Sequence, residues 1–94
     1  MYTASAKLTF YIPYANSLKD KRQVSRSIIE KTRVKFNVSI AEVSTQDNHQ
    51  TLTLGIALVS GDSFYLNQTI DNIIRFMEEH TEAELLDVEK YFGE

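Results

Sequence analysis

A chain of 94 residues, 43% hydrophobic, with one proline and no cysteine, describes one small domain over residues 1–94 and excludes a disordered chain, a disulfide framework and thiolate chemistry. No stretch approaches the roughly 20 apolar residues of a membrane span, and Lys7 interrupts the apolar run near the N-terminus, so a cytoplasmic protein without a signal peptide is expected. The net charge of −3 conceals an asymmetry, because residues 1–36 carry eight basic and two acidic side chains while residues 37–94 carry two basic and eleven acidic ones. Global acidity argues against an indiscriminate nucleic-acid coat protein, but the asymmetry leaves room for one basic face.

From Thr3 to Ile12 the chain alternates: Ala4, Ala6, Leu8, Phe10 and Ile12 share one face, and Thr3, Ser5, Lys7, Thr9 and Tyr11 the other. That period of two predicts a half-buried strand. Pro13 ends it, since proline has no N–H for a sheet ladder. Ser17-Leu18-Lys19-Asp20 fits a capping box, with Ser17 accepting from the Asp20 N–H and Asp20 reaching back to the N–H of Ser17.

The helix that follows is predicted to run to about Lys35. Leu18, Val24, Ile28, Ile29, Thr32 and Phe36 fall within one arc of ~140° that faces the core. Lys21 and Ser25 share this arc, which predicts a weaker burial of the first turns. Of the chain's ten Lys and Arg, seven lie here: Lys19, Lys21, Arg22, Arg26, Lys31, Arg33 and Lys35. Asn37–Ser44 reads as a second strand with a phase shift, because Val38 and Ile40 alternate with polar residues and then Ala41 and Val43 are apolar while Glu42 is not. A bulge or a change of buried face is expected there.

Residues 45–49 form a polar hairpin connection. Gln50–Ser60 is the most apolar strand, with Leu52, Leu54, Ile56 and Leu58 on one face and the small apolar Ala57 and Val59 on the other, open one. Asp62 is a good N-cap for a second helix to about Glu79, whose Leu66, Ile70, Ile73, Ile74 and Met77 lie within ~100° of arc. Phe64 projects to the opposite side. Ala83–Phe92 reads as the last strand, with Leu86, Val88 and Phe92 in one phase and Leu85, Asp87, Glu89 and Tyr91 in the other. The order β-α-β-β-α-β, with two right-handed βαβ units, predicts a ferredoxin-like α+β sandwich: a four-stranded antiparallel sheet with both helices on one face.

Catalytic signals are sparse. His80 sits where an imidazole complements a helix C-terminus, and His49 is a loop histidine near Asp47. No zinc spacing and no glycine-rich phosphate loop is present, so no enzyme, metal site, cofactor or small-molecule substrate is expected. The basic helix is the main functional signal. Arg22, Arg26 and Arg33 fall within ~40° of one another with Lys19 beside them, and arginine forks onto phosphate. Lys19, Lys21 and Arg22 also stand in the first turn or so, where the helix dipole disfavours cations. The bland alternatives are a solvated face or ion pairs to the acidic last strand.

The segments PYANSLKDKR, FNVSIAEV and EAELLDVE resemble the YlxP-like family, a small bacterial domain of unknown function. Ser17, Leu18, Lys19, Asp20, Lys21, Arg22, Arg33 and Phe36 match its pattern, with Arg26 at its mid-helix basic position; Asn48-His49 departs from its bulky apolar residue. The resemblance implies a ferredoxin-like fold in a bacterial cytoplasmic protein. Its members are often encoded near translation factors, which implies an RNA or ribosome role. The expected site is therefore a nucleic-acid face of Lys19, Lys21, Arg22, Arg26, Arg33 and Lys35 for RNA or a ribosomal particle. The alternative is a protein-interaction or homodimer surface at Ala57, Val59 and Phe64.

Overall fold

Alternation in the first strand separates two layers. The computed structural model describes residues 1–94. Its elements are β1 (Tyr2–Tyr11), α1 (Leu18–Lys35), β2 (Ser39–Ser44), β3 (Thr51–Ser60), α2 (Ser63–Glu79) and β4 (Glu84–Gly93). The sheet order is β2-β3-β1-β4, and every neighbouring pair is antiparallel. This is the ferredoxin-like sandwich. Ala4, Ala6, Leu8 and Phe10 of β1 and Leu52, Leu54 and Ile56 of β3 are buried with Ile28 of α1 and Leu66, Ile70, Ile73 and Met77 of α2. One sheet face therefore carries both helices, with α1 over β2 and α2 over β1 and β3. The other face has no covering layer. Neither helix is long and apolar enough to cross a membrane.

The caps form with one shift. Asp20 N–H donates to Ser17 Oγ at 3.1 Å, but the Asp20 carboxylate reaches Asn16 N–H at 2.9 Å, one residue before Ser17. Asp62 Oδ1 accepts from the N–H of Phe64 and Tyr65 at 2.9 and 3.2 Å. In β4 a register shift between its pairings with Thr9 and Phe10 places Leu85, not Leu86, beside Phe10. Leu85 packs on the core and Leu86 is exposed, the reverse of what unbroken alternation implies. In β2 the inward phase of Ile40 continues through Glu42, which pairs with the buried Leu54, and the irregularity comes after it. Val43 then covers Gly55, where an added Cβ would meet Val43 Cγ1 at 2.7 Å. Gly55 is thus the residue that lets the bulged strand approach β3.

An inward Glu42 needs a partner, and Lys21 supplies it. The buried line of α1 is Lys21, Ser25, Ile28 and Thr32, so the first turns are buried as deeply as the rest. Lys21 is only 2% exposed. Its Nζ lies 2.9 Å from Glu42 Oε2, a buried oxygen that receives no other hydrogen bond. The same ammonium donates to the carbonyls of Thr45 and Thr51 at 2.7 and 3.2 Å, with the Gln46 carbonyl at 3.4 Å. Three N–H donors thus meet one carboxylate and two main-chain oxygens, which satisfies the ammonium. Thr45 has φ 60, a left-handed conformation that costs a β-branched residue about 1–3 kcal/mol, and the Lys21 bond to its carbonyl holds it there.

Lys21→Ala leaves the buried Oε2 of the partly exposed Glu42 without its partner, and the expected loss is about 2–3 kcal/mol of unfolding free energy. Urea denaturation followed by circular dichroism measures it. Lys21→Met combined with Glu42→Leu removes both charges and should recover most of that loss. A loss below about 1 kcal/mol for the single change would remove the clasp from the determinants of the fold.

Candidate nucleic-acid interface

With Lys21 turned inward, the expectation that it contacts phosphate is corrected. Its ammonium has no solvent-facing donor, and withdrawing it would leave Glu42 unpaired. The cations at the other expected positions (Lys19, Arg22, Arg26, Arg33 and Lys35) are exposed, and Lys31 joins them. Helical spacing lines Lys19, Arg22, Arg26 and Arg33 along one flank of α1. Arg33 also donates from Nη2 to the Ile40 carbonyl at 2.9 Å, which pins it to β2 and leaves its other donors available.

None of these six cations forms an ion pair. The ion pairs of the fold are Lys7–Glu89, Lys21–Glu42 and Lys90–Asp71. Pairing of the basic helix with the acidic last strand does not occur, and topology gives the reason. Helix α1 lies over β2, while β4 is at the opposite edge, three strand spacings or roughly 14 Å away. That exceeds the Debye length of about 8 Å at physiological salt. The acidic residues of β4 are satisfied locally or solvated.

The second candidate surface is the uncovered sheet face. Ala57 and Val59 stand on it opposite Ser5 and Thr3, and Val59 is 61% exposed. Phe64 is elsewhere, on the outer side of the first turn of α2, and is 69% exposed. Toward β4 the same sheet face is charged. Lys7 Nζ lies 3.2 Å from Glu89 Oε2, and the Tyr91 hydroxyl donates to that oxygen at 2.8 Å. These bonds hold the Glu89 carboxyl below its ordinary 4.5, the Tyr91 hydrogen bond first and Lys7 second. The Glu89 hydrogen bond and charge raise Lys7 and Tyr91 in turn. Alternation in the sequence places all three on this face, and the strand register of the structure, Lys7 opposite Glu89 and Ser5 opposite Tyr91, joins them.

The histidines have separate surroundings. His80 Nδ1 lies 2.8 Å from the Phe76 carbonyl, and its ring stacks on Phe76 at 3.9 Å, so it closes the C-terminus of α2. His49 is exposed in the 45–50 loop and makes no hydrogen bond to Asp47; there Asn48 Oδ1 organises the turn by accepting from the N–H of Gln50 and Thr51. A cleft of about 630 Å³ opens between α1 and the end of α2, lined by Tyr14, Ser27, Lys31, Glu79, His80 and Glu82 among others. Burial, with the Glu82 charge behind it, pushes the Tyr14 phenol up.

Comparison with known proteins places this geometry in a family. Residues 3–90 match the model of the family described as protein of unknown function (DUF503). The chain belongs to this YlxP-like family. It is 37% identical over 70 residues to the uncharacterized protein YlxP of Bacillus subtilis (strain 168), an alignment covering 74% of this chain and 76% of that protein. Among solved structures, the solution NMR structure of a de novo designed protein with a ferredoxin fold superposes with a TM-score of 0.58 at 15% identity, covering 100% of this chain and 87% of the design. That similarity carries the fold alone. YlxP-like membership agrees with the resemblance read at Ser17–Arg22 and brings no assigned activity, so any role for the basic helix rests on its geometry.

The Glu89 network yields a pH prediction. A carboxyl with a depressed folded pKa contributes stability above its ordinary value, and that contribution is lost as pH falls through the folded value. Titration of the Glu89 carboxyl by NMR should give a midpoint below 4.5, raised by Tyr91→Phe and by Lys7→Ala. A midpoint that neither change moves would contradict the network.

Proposed function

We propose that this protein is a non-enzymatic binding module that docks on RNA, free or in a ribosomal particle, through the exposed face of α1. The carrying observation is that six exposed cations on one helix have no carboxylate partner in a chain of net charge −3. An acidic chain has carboxylates to spare for solvating such a helix, yet the topology keeps those of β4 at the far edge of the sheet. Lys19, Arg22, Arg26, Arg33 and Lys35 are the phosphate contacts. Anchorage of Arg33 to β2 reduces the side-chain freedom lost on binding.

If about three to four phosphates are neutralised on single strands, log K falls with log[salt] at a slope of roughly −2 to −3. Fluorescence anisotropy with labelled RNA over a salt series measures the slope, and co-sedimentation with ribosomal particles tests the larger partner. Lys19→Glu, Arg22→Glu and Arg26→Glu in one folded chain should abolish both signals, while Lys7→Glu on the opposite sheet face should not. A flat salt response refutes the reading.

The uncovered sheet face favours a second reading, a homodimer packed through Ala57 and Val59. Here small residues and an exposed valine make a flat apolar strip beside Gly55 and Val43. Sedimentation velocity should then show a concentration-dependent dimer that Val59→Lys dissociates. Monomer alone at high concentration discards this reading.

A further inference from the structure

Resting on the reading of α1 as an RNA face, we infer that the nucleic acid it takes is double-helical RNA, with α1 lying along the minor groove. Recognition of single-stranded RNA relies on aromatic side chains that stack on splayed bases. The exposed positions of α1 hold no aromatic residue. Tyr14, just before the helix, lines the cleft between α1 and the end of α2, off the flank that carries the arginines. Tyr11 and Tyr91 lie on the sheet face away from both helices, where the Tyr91 hydroxyl is bound to Glu89. A strand following the arginines therefore meets cations but no stacking platform.

What α1 offers instead matches a groove. Its buried line defines the direction facing outward; Gln23 and Glu30 lie within about 10° of that direction, and Ser27 and Val34 within about 50°. Lys19, Arg22, Arg26 and Arg33 flank this ridge at roughly 30–90° on one side, and Lys31 and Lys35 at roughly 90–130° on the other. A polar ridge whose one charge is the Glu30 carboxylate, set between two cationic rows, fits a groove with a phosphate backbone on each wall and sugar hydroxyls on its floor. The A-form minor groove is wide and shallow and displays 2′-hydroxyls, which Gln23, Ser27 and Glu30 can hydrogen-bond. The minor groove of B-form DNA is too narrow for a helix about 10 Å across. Val34 supports the same orientation. It is 91% exposed, a β-branched residue at the crest of a helix, and the floor of a shallow groove gives it sugar surface to cover. The acidic side chains of the α2 terminus bound the footprint on the Lys31 side.

The test is fluorescence anisotropy, at one fixed salt concentration, with an RNA duplex of about 20 base pairs, the DNA duplex of the same sequence and one RNA strand alone. The RNA duplex should bind about tenfold or more tightly than either of the others. Lys31→Glu with Lys35→Glu, checked to be folded by circular dichroism, should weaken duplex RNA binding about tenfold while changing single-strand binding less, because only a duplex presents the second wall. Arg22→Glu with Arg26→Glu should weaken both. Equal or tighter binding of the single strand or of the DNA duplex overturns the duplex inference and leaves the RNA reading standing. Binding of neither RNA form overturns both.

Discussion

Lys21 and Glu42 join the two layers of this fold at a point where neither side chain could stay without the other. An ammonium 2% exposed and a carboxylate oxygen with no other donor are each costly to bury alone. Together they tie the first turns of α1 to the edge strand β2, and the remaining ammonium protons bind the main chain at Thr45 and Thr51, on both sides of the 45–50 loop. One side chain therefore sets the height of a helix over the sheet and the closure of a hairpin. The left-handed conformation of Thr45 is part of the same arrangement: its carbonyl is turned toward Nζ instead of continuing a ladder.

The clasp also accounts for the arrangement of charge on α1. A helix with seven cations packs against a sheet only if its buried line tolerates charge. At Lys21 that charge is neutralised, and at Ser25 and Thr32 the polar groups are small, with the Thr32 hydroxyl donating to the Ile28 carbonyl at 2.7 Å. Once those positions face inward, the helical repeat turns the other six cations outward in two rows. The inward cation is a lysine, whose three donors radiate to acceptors on three different residues. Arginines dominate the outer row, where a planar fork suits phosphate. Strand order then completes the separation, because the edge strand richest in acid is the one farthest from α1.

Sequence reading captured what depends on periodicity and end signals. The order of the six elements, the Ser17 and Asp62 caps, the apolar face of α2 and the exposure of Ala57, Val59 and Phe64 follow from spacings of two or 3.6 residues and are found in the structure. What it missed lies where a local irregularity or a distant partner decides. A one-residue bulge exchanges Leu85 and Leu86, and no spacing marks its position. Glu42 was read as the residue that broke a pattern, although it continues the phase of Val38 and Ile40; the pattern is complete once its inward partner is known. Lys21 falls on the core-facing arc and not on the arginine stripe, and only its place in the first turn groups it with its basic neighbours; without a visible inward partner the arc alone predicts weaker burial instead of a buried cation. A cation on a buried arc of one element and a carboxylate on the buried phase of the next were the two halves of a signal visible only in combination.

That combination bears on how the outer face is to be interpreted. Counting all the basic residues of α1 suggests diffuse electrostatic attraction, in which any lysine could replace any other. Removing Lys21 from the count leaves two rows and a ridge, and position then matters as much as charge. Arg33 illustrates the difference. Its bond to the Ile40 carbonyl occupies an outward-facing acceptor of an edge strand, which discourages strand addition there, and it fixes the guanidinium at the boundary between helix and sheet. A cation tethered in this way presents its remaining donors from a fixed position, whereas Lys31 and Lys35 are free to adjust. Of the six outer cations Arg33 alone is tethered to the sheet, while Lys19, Arg22 and Arg26 beside it form no ion pair and are held only by the helix.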